Sequence, residues 1–138
     1  MKERTAGDRM EIVIPVTVEF EDVDSYRIAH HTKLVAYLER ARVRYLAGLG
    51  LELAAENPVI VLYGLQMDFK KTVKLLDRLE VSVYAKAVKS YQLVLGYRIT
   101  IGNDLVAKAT TALAFLNAKT RQLIPVPPAV RERTGLEV

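Results

Sequence analysis

The sequence predicts an α+β fold in which one long helix packs against an antiparallel β-sheet of about five strands. Three observations carry this. A helical apolar periodicity runs from His31 to Leu49. Five other segments alternate along the chain with period two, as strands with one buried face do. No helical pattern separates the last four of them, so short turns must join neighbours that pair antiparallel. With 138 residues and a hydrophobic fraction of 51%, the chain fits one domain with a substantial core.

Residues 1–9 are charged and read as a mobile tail, which leaves one domain over 10–138. They contain no apolar h-region, so no secretory signal is expected. Ile12, Ile14, Val16, Val18 and Phe20 mark the first strand. Pro15 cannot donate to a ladder and points to an edge or a bulge. The strand is expected to end at an Asp-x-Asp, Asp22-Val23-Asp24. In the helix that follows, His31, Leu34, Val35, Leu38, Ala41, Tyr45, Leu46 and Leu49 share one broad face, and Gly48 and Gly50 supply the stop. At ~1.5 Å per residue it measures roughly 25–30 Å, enough to cross a sheet diagonally. The second strand runs from Val59 to Phe69, with Val59, Val61, Tyr63, Leu65, Met67 and Phe69 as one set. Leu79 to Ala87 and Tyr91 to Ile101 come next, and Gly102-Asn103-Asp104 turns tightly into Leu105 to Asn117. Pro125, Pro127 and Pro128 exclude a strand interior near the end.

Val94, Val106, Ala112, Ala114 and Leu116 have the opposite parity from the main apolar set. One helix leaves that second apolar face uncovered, which predicts a homodimer or homotetramer. No run is long and apolar enough to span a membrane. The absence of cysteine excludes disulfides and thiolate chemistry and favours a cytoplasmic location. A net charge of +4 suits a phosphate-bearing small ligand. Nucleic acid is not expected as a partner, because charge alone points to it.

The chemistry-bearing residues concentrate between Glu21 and His31. Seven residues after Asp24, His31 stands at the mouth of the helix, so a carboxylate, an imidazole and unpaired helix N–H groups share one neighbourhood. Those are parts for polarising a carbonyl and attacking it. On spacing alone Asp24 reads as a turn or helix-capping residue, and His30 and His31 read also as polar residues terminating a helix. Crowding of Glu21, Asp22 and Asp24 would raise a carboxyl pKa and favour a base. No spacing among these residues matches a metal motif, so no metal is expected.

Glu21-Asp22-Val23-Asp24, Ile28-Ala29-His30-His31 and Tyr37-Leu38-Glu39-Arg40-Ala41-Arg42 resemble the signature of hotdog-fold acyl-CoA thioesterases. The nearest pattern is the YbgC / 4-hydroxybenzoyl-CoA thioesterase group. The likeness continues through Met67-Asp68-Phe69, Leu76-Asp77 and Leu123-Ile124-Pro125. It implies a hotdog fold and hydrolysis of acyl-CoA to free acid and CoA, with CoA entering only as part of the substrate and no cofactor. It also implies sites formed between two protomers. Asp24 would be the nucleophile or general base, and His31 would bind the thioester carbonyl. A backbone amide at Val59 or Ile60 would complete the oxyanion site, and Tyr63 would line the acyl pocket or serve the core. Lys70, Lys71 and Lys74 would meet the CoA phosphates, or form a solvated hairpin end. Glu39, on the helix where some relatives carry their carboxylate, is expected to pair with Arg40, Arg42 or a second chain. Ser25-Tyr26-Arg27 stand where the family usually has a Gly-containing loop, and Leu34 where a Tyr is frequent. That departure predicts a differently shaped loop. A hotdog dehydratase or hydratase, and a non-catalytic acyl-thioester binding module, are the alternatives.

Overall fold

A computed structural model describes residues 10–51 and 58–136. The expected tail at 1–9 lies outside the described residues. Strands β1 (Glu11–Thr17), β2 (Val59–Phe69), β3 (Arg78–Val88), β4 (Leu93–Ile101), β5 (Asp104–Leu116) and β6 (Leu123–Ile124) form one antiparallel sheet. Its order is β1-β3-β4-β5-β2, with the two-residue β6 pairing β5. Helix α1 spans His31–Gly48 and helix α2 spans Pro128–Thr134. Because β1 and β2 hold opposite edges, α1, which joins them in sequence, crosses the sheet. This is the expected layout, with a sixth short strand and a second short helix added. Pro128 opens α2, where its missing N–H costs nothing.

The period-two pattern sets the faces. Leu79, Val81, Val83 and Ala85 of β3 point toward α1, as do Leu93, Leu95, Tyr97 and Ile99 of β4 and Leu113 and Phe115 of β5. Leu34, Tyr37, Leu38, Ala41, Tyr45 and Leu46 of α1 close the core over them. The Tyr45 hydroxyl accepts the Ala85 amide at 3.0 Å and donates to the Met10 carbonyl at 3.1 Å, which supplies a partner beside the bulge of β3. α1 ends where the glycines predict. Gly50 takes φ +82°, its N–H bonds the Ala47 carbonyl, and the Leu51 N–H bonds that of Leu46. That is a Schellman closure, which satisfies two orphan carbonyls. Pro15 lies in β1, an edge strand paired only with β3.

Four details differ from the pattern. β1 stops at Thr17, and Phe20–Asp22 form a single 3-10 turn with Phe20 exposed. A bulge between Leu62 and Gly64 divides the second-strand set. Leu65, Met67 and Phe69 share the helix side with their β5 partners, whereas Val59 and Val61 face the other way. Tyr91 precedes β4 and is exposed. Val106 is fully buried, so it adds nothing to the exposed second face, where Val94, Ala112, Ala114 and Leu116 are half-buried. Among the described residues no helix is long and apolar enough to cross a membrane.

Candidate active site at the start of α1

Between the 3-10 turn and α1 the chain makes a miniature hairpin. The Asp22 carbonyl accepts the His30 N–H at 2.9 Å, Val23 bridges Ala29, and the Asp24 N–H bonds the Ile28 carbonyl at 3.0 Å. Asp24 therefore stands at the tip and the start of α1 at the base, about 7 Å apart over two residues. The tip is fixed by Asp24 itself. Its Oδ1 accepts the Tyr26 amide at 2.8 Å and the Ile28 amide at 3.1 Å. Among the described residues Oδ2 accepts no hydrogen bond. So one carboxylate oxygen builds the turn and the other remains available.

In the loop that departs from the family pattern, one residue with a side chain takes a left-handed backbone conformation. Arg27 takes φ +65°. For a residue with a Cβ that region costs about 1–2 kcal/mol. Bonds at both ends of Arg27 hold it there: its N–H donates to the Asp24 carbonyl and its carbonyl accepts the Leu75 N–H. Ile28 also bridges Lys74, and the Ala29 N–H bonds the Val73 carbonyl.

At the base, His30 occupies the N-cap position without a side-chain cap bond, and His31 begins the helix. The His31 and Thr32 amides bond no carbonyl among the described residues, as the first amides of a helix do not. The His31 ring is exposed rather than part of the buried face, and it stacks on Phe69 with centroids 4.4 Å apart. His31, Phe69, Lys70 and Lys71 line a cavity of about 230 Å³. Lys71 pairs with Asp104 at 2.9 Å. Lys74 stands beyond the cavity and is exposed.

Other expected site residues lie elsewhere. Val59 and Ile60 begin β2, ten residues from Phe69 and about 30 Å along an extended strand. Tyr63 is exposed on the sheet face away from α1, where it accepts a hydrogen bond from Gln92 and lines an open groove of about 810 Å³ with Tyr91 and Leu116. A separate cleft of about 410 Å³ runs between α1 and β2, lined by Thr32, Val35, Glu39, Arg42, Leu62 and Leu65. Glu39 is exposed there and pairs with Arg42 at 3.6 Å, as expected.

Asp22 and Asp24, alike in sequence, have opposite environments. Asp22 is buried, at 3% exposure. Its Oδ2 accepts the Tyr37 hydroxyl at 2.7 Å and the Glu19 amide at 3.0 Å, and Lys33 Nζ lies 3.9 Å from Oδ1. Burial works to raise the Asp22 carboxyl. The Tyr37 hydroxyl, the Glu19 amide and the charges of Lys33 and Arg40 outweigh it and hold the group below its ordinary value. Crowding by Glu21 and Asp24 would instead raise this carboxyl. Burial, and then the Asp22 carboxylate, push the Tyr37 hydroxyl well above its ordinary value. The helical periodicity held a signal for this pair: Tyr37 falls three residues after Leu34 and four before Ala41, and a buried Tyr needs a partner for its hydroxyl.

A family model described as the thioesterase-like superfamily matches residues 18–134. Over 121 residues the chain is 26% identical to the acyl-CoA thioesterase YbgC of Haemophilus influenzae, covering 85% of this chain and 89% of that protein. It is 24% identical over 120 residues to a 1,4-dihydroxy-2-naphthoyl-CoA hydrolase of Synechococcus elongatus, covering 83% and 88%. A protein of Staphylococcus aureus solved in complex with CoA superposes with a TM-score of 0.84 at 16% identity, covering 94% of this chain and 85% of that one.

Proposed function

The chain belongs to the thioesterase-like superfamily and has the hotdog fold, and from that premise we propose that it hydrolyses acyl-CoA thioesters to free acid and CoA. The observation that carries this reading is the tethered Asp24 carboxylate, with Oδ1 spent on the turn and Oδ2 free, at the tip of a hairpin whose base leads into the unpaired amides of His31 and Thr32. Asp24 acts as nucleophile on the thioester carbonyl or as general base for water. The helix-start amides, with His31, receive the charge that develops on the carbonyl oxygen. A thioester is already activated toward attack, so this chemistry calls for no cofactor.

Lys70, Lys71 and Lys74 supply positive charge for the CoA phosphates, next to the cavity that His31 lines. Tyr63, on the other sheet face of its own protomer, fits a surface role better than the acyl pocket. The cleft lined by Val35, Leu62 and Leu65 offers a more suitable apolar wall for the acyl group.

The site is proposed to be shared in a homodimer. β2 is an eleven-residue edge strand whose Leu62, Leu65 and Phe69 are exposed. Such an edge is a template for pairing. Antiparallel pairing of two β2 edges about Gly64 sets Val59 of the partner subunit opposite Phe69. That brings the amides of Val59 and Ile60, remote within one chain, toward the start of α1. The half-buried outer face leaves room for a tetramer. The lack of cysteine supports a cytoplasmic location.

A panel of acyl-CoAs with released thiol as readout tests the activity. Turnover of at least one aryl- or alkanoyl-CoA supports the proposal; its absence, in a protein shown to be folded, refutes it. The turn-building role of Asp24 keeps one other reading, a non-catalytic acyl-thioester binding module. Tight binding of acyl-CoA without turnover in the same panel would establish that module instead.

A further inference from the structure

We propose that Asp22 and Tyr37 form a buried positioning pair that sets the Asp24 turn against the start of α1, a role that rests on the hydrolysis proposed above. The two side chains add a direct tie between parts of the molecule that the backbone joins through the hairpin pairs Asp22–His30, Val23–Ala29 and Asp24–Ile28. The hairpin carrying Asp24 has two strands, 22–24 and 28–30. The second is tied to the loop at 73–75 by the Ile28–Lys74 bridge and by the bond from the Ala29 amide to the Val73 carbonyl. The first, which bears Asp24, is tied to α1 by the Tyr37 hydroxyl on Asp22 Oδ2, at 2.7 Å. The same oxygen accepts the Glu19 amide, so one carboxylate fixes the 3-10 turn and the helix together.

Architecture alone does not call for these groups. An apolar pair of similar volume would pack the turn on the helix without burying a carboxylate, and buried ionic groups are poor sources of net stability. What they add is direction. A 2.7 Å bond to a charged acceptor fixes an angle as well as a contact. Tyr37 is fully buried, and the Arg40 guanidinium lies 5.3 Å over its ring, so the donor itself is held. Asp24 is two residues downstream of the fixed point, and the helix-start amides of His31 and Thr32 are six and five residues upstream of Tyr37. A slip at the joint therefore appears as a displacement of attacking oxygen from oxyanion donors.

The test compares Tyr37→Phe, Asp22→Asn and Asp22→Ala with the wild type. It measures kcat, KM, circular dichroism and amide hydrogen exchange at Tyr26 and Ile28, whose N–H groups bond Asp24. The expected result for Tyr37→Phe is a folded protein whose kcat falls about 10- to 100-fold with KM changed less than about twofold. Its Tyr26 and Ile28 amides exchange faster. Asp22→Asn keeps an oxygen for the hydroxyl and loses less kcat than Asp22→Ala. A folded Tyr37→Phe variant with kcat within about twofold of the wild type would overturn the positioning role. If Tyr37→Phe does not fold, the two Asp22 variants decide, and equal losses in both overturn it. If the wild type hydrolyses no acyl-CoA, the functional reading fails, but exchange still judges the pair: unchanged protection of Tyr26 and Ile28 in Tyr37→Phe refutes it.

Discussion

Asp24→Asn separates the two jobs that one carboxylate does. Oδ1 accepts two backbone amides, from exposed Tyr26 at 2.8 Å and part-buried Ile28 at 3.1 Å. An Asn oxygen can accept both, though without the charge that strengthens them. The expected loss of stability is about 1 kcal/mol, against about 2–3 kcal/mol for Asp24→Ala, which forfeits both bonds. For a chain of this size 1 kcal/mol corresponds to roughly 4 °C in Tm. Both variants therefore stay folded at assay temperature. Activity divides differently, because an amide neither attacks a thioester nor takes a proton from water. Losing that group costs about 100-fold or more in kcat, a barrier increase of at least about 2.7 kcal/mol. The assay is thiol release from the best acyl-CoA of the panel, well below either Tm, with melting curves alongside. Asn and Ala variants equally inactive but unequally stable would match the reasoning. An Asn variant within about threefold of wild-type kcat, beside an inactive Ala variant, would refute it and reduce Asp24 to a turn former.

Sedimentation of the wild type at micromolar concentration should show at least a dimer, and Leu65→Lys, which puts a charge on the proposed β2 interface, should shift it toward monomer; a wild-type monomer contradicts the shared site. Neutralising Lys70, Lys71 and Lys74 together should raise KM for acyl-CoA far more than for an acyl-pantetheine thioester without the nucleotide phosphates, and added salt should shrink the difference. Equal effects on both substrates would make the lysines structural, and Lys71, already paired with Asp104, should contribute least of the three. Stability should be flat near neutral pH and fall at both ends. The Asp22 carboxyl is held below its ordinary 3.8, so its contribution is complete above about pH 4 and is lost as pH falls through the folded value. The Tyr37 hydroxyl is held above its ordinary 10.0, so its contribution is complete below about pH 10 and is lost as pH rises through the folded value. Asp22→Asn should flatten the acid limb of Tm against pH, and an acid limb that keeps its slope would rule out Asp22 as its source.

Much of the architecture was legible because the periods are long. Eleven alternating residues from Val59 to Phe69 and an eighteen-residue helical stretch closed by Gly48 and Gly50 leave little freedom in type or extent. Failures fall where local pattern competes with something remote. Phe20 continues the alternation of β1, but the chain has already entered the turn that Asp22 caps. Tyr63 continues that of β2, but one extra residue at the bulge puts its neighbours on opposite faces. The helix α2 is seven residues long, too short for periodicity to show.

The candidate site was legible in residue type and opaque in role. Glu21, Asp22 and Asp24 look alike as a run of acids, and crowding alone predicts raised pKa values. What distinguishes Asp22 is a hydroxyl fifteen residues away in sequence, which only the packing of α1 brings to it. What distinguishes Asp24 is the turn it makes with Tyr26 and Ile28, since that turn leaves one oxygen free. The Ser25-Tyr26-Arg27 departure illustrates the same point from the other side. Without a Gly the loop looks misshapen, yet Arg27 accepts φ +65° because Asp24, Ile28 and Leu75 bond the chain on both sides of it. About 1–2 kcal/mol of backbone strain is offset by contacts that no short motif records. A loop built this way depends on its bonds more than on its residue preferences. The placement of Asp24, on which the proposed chemistry turns, therefore rests on those bonds.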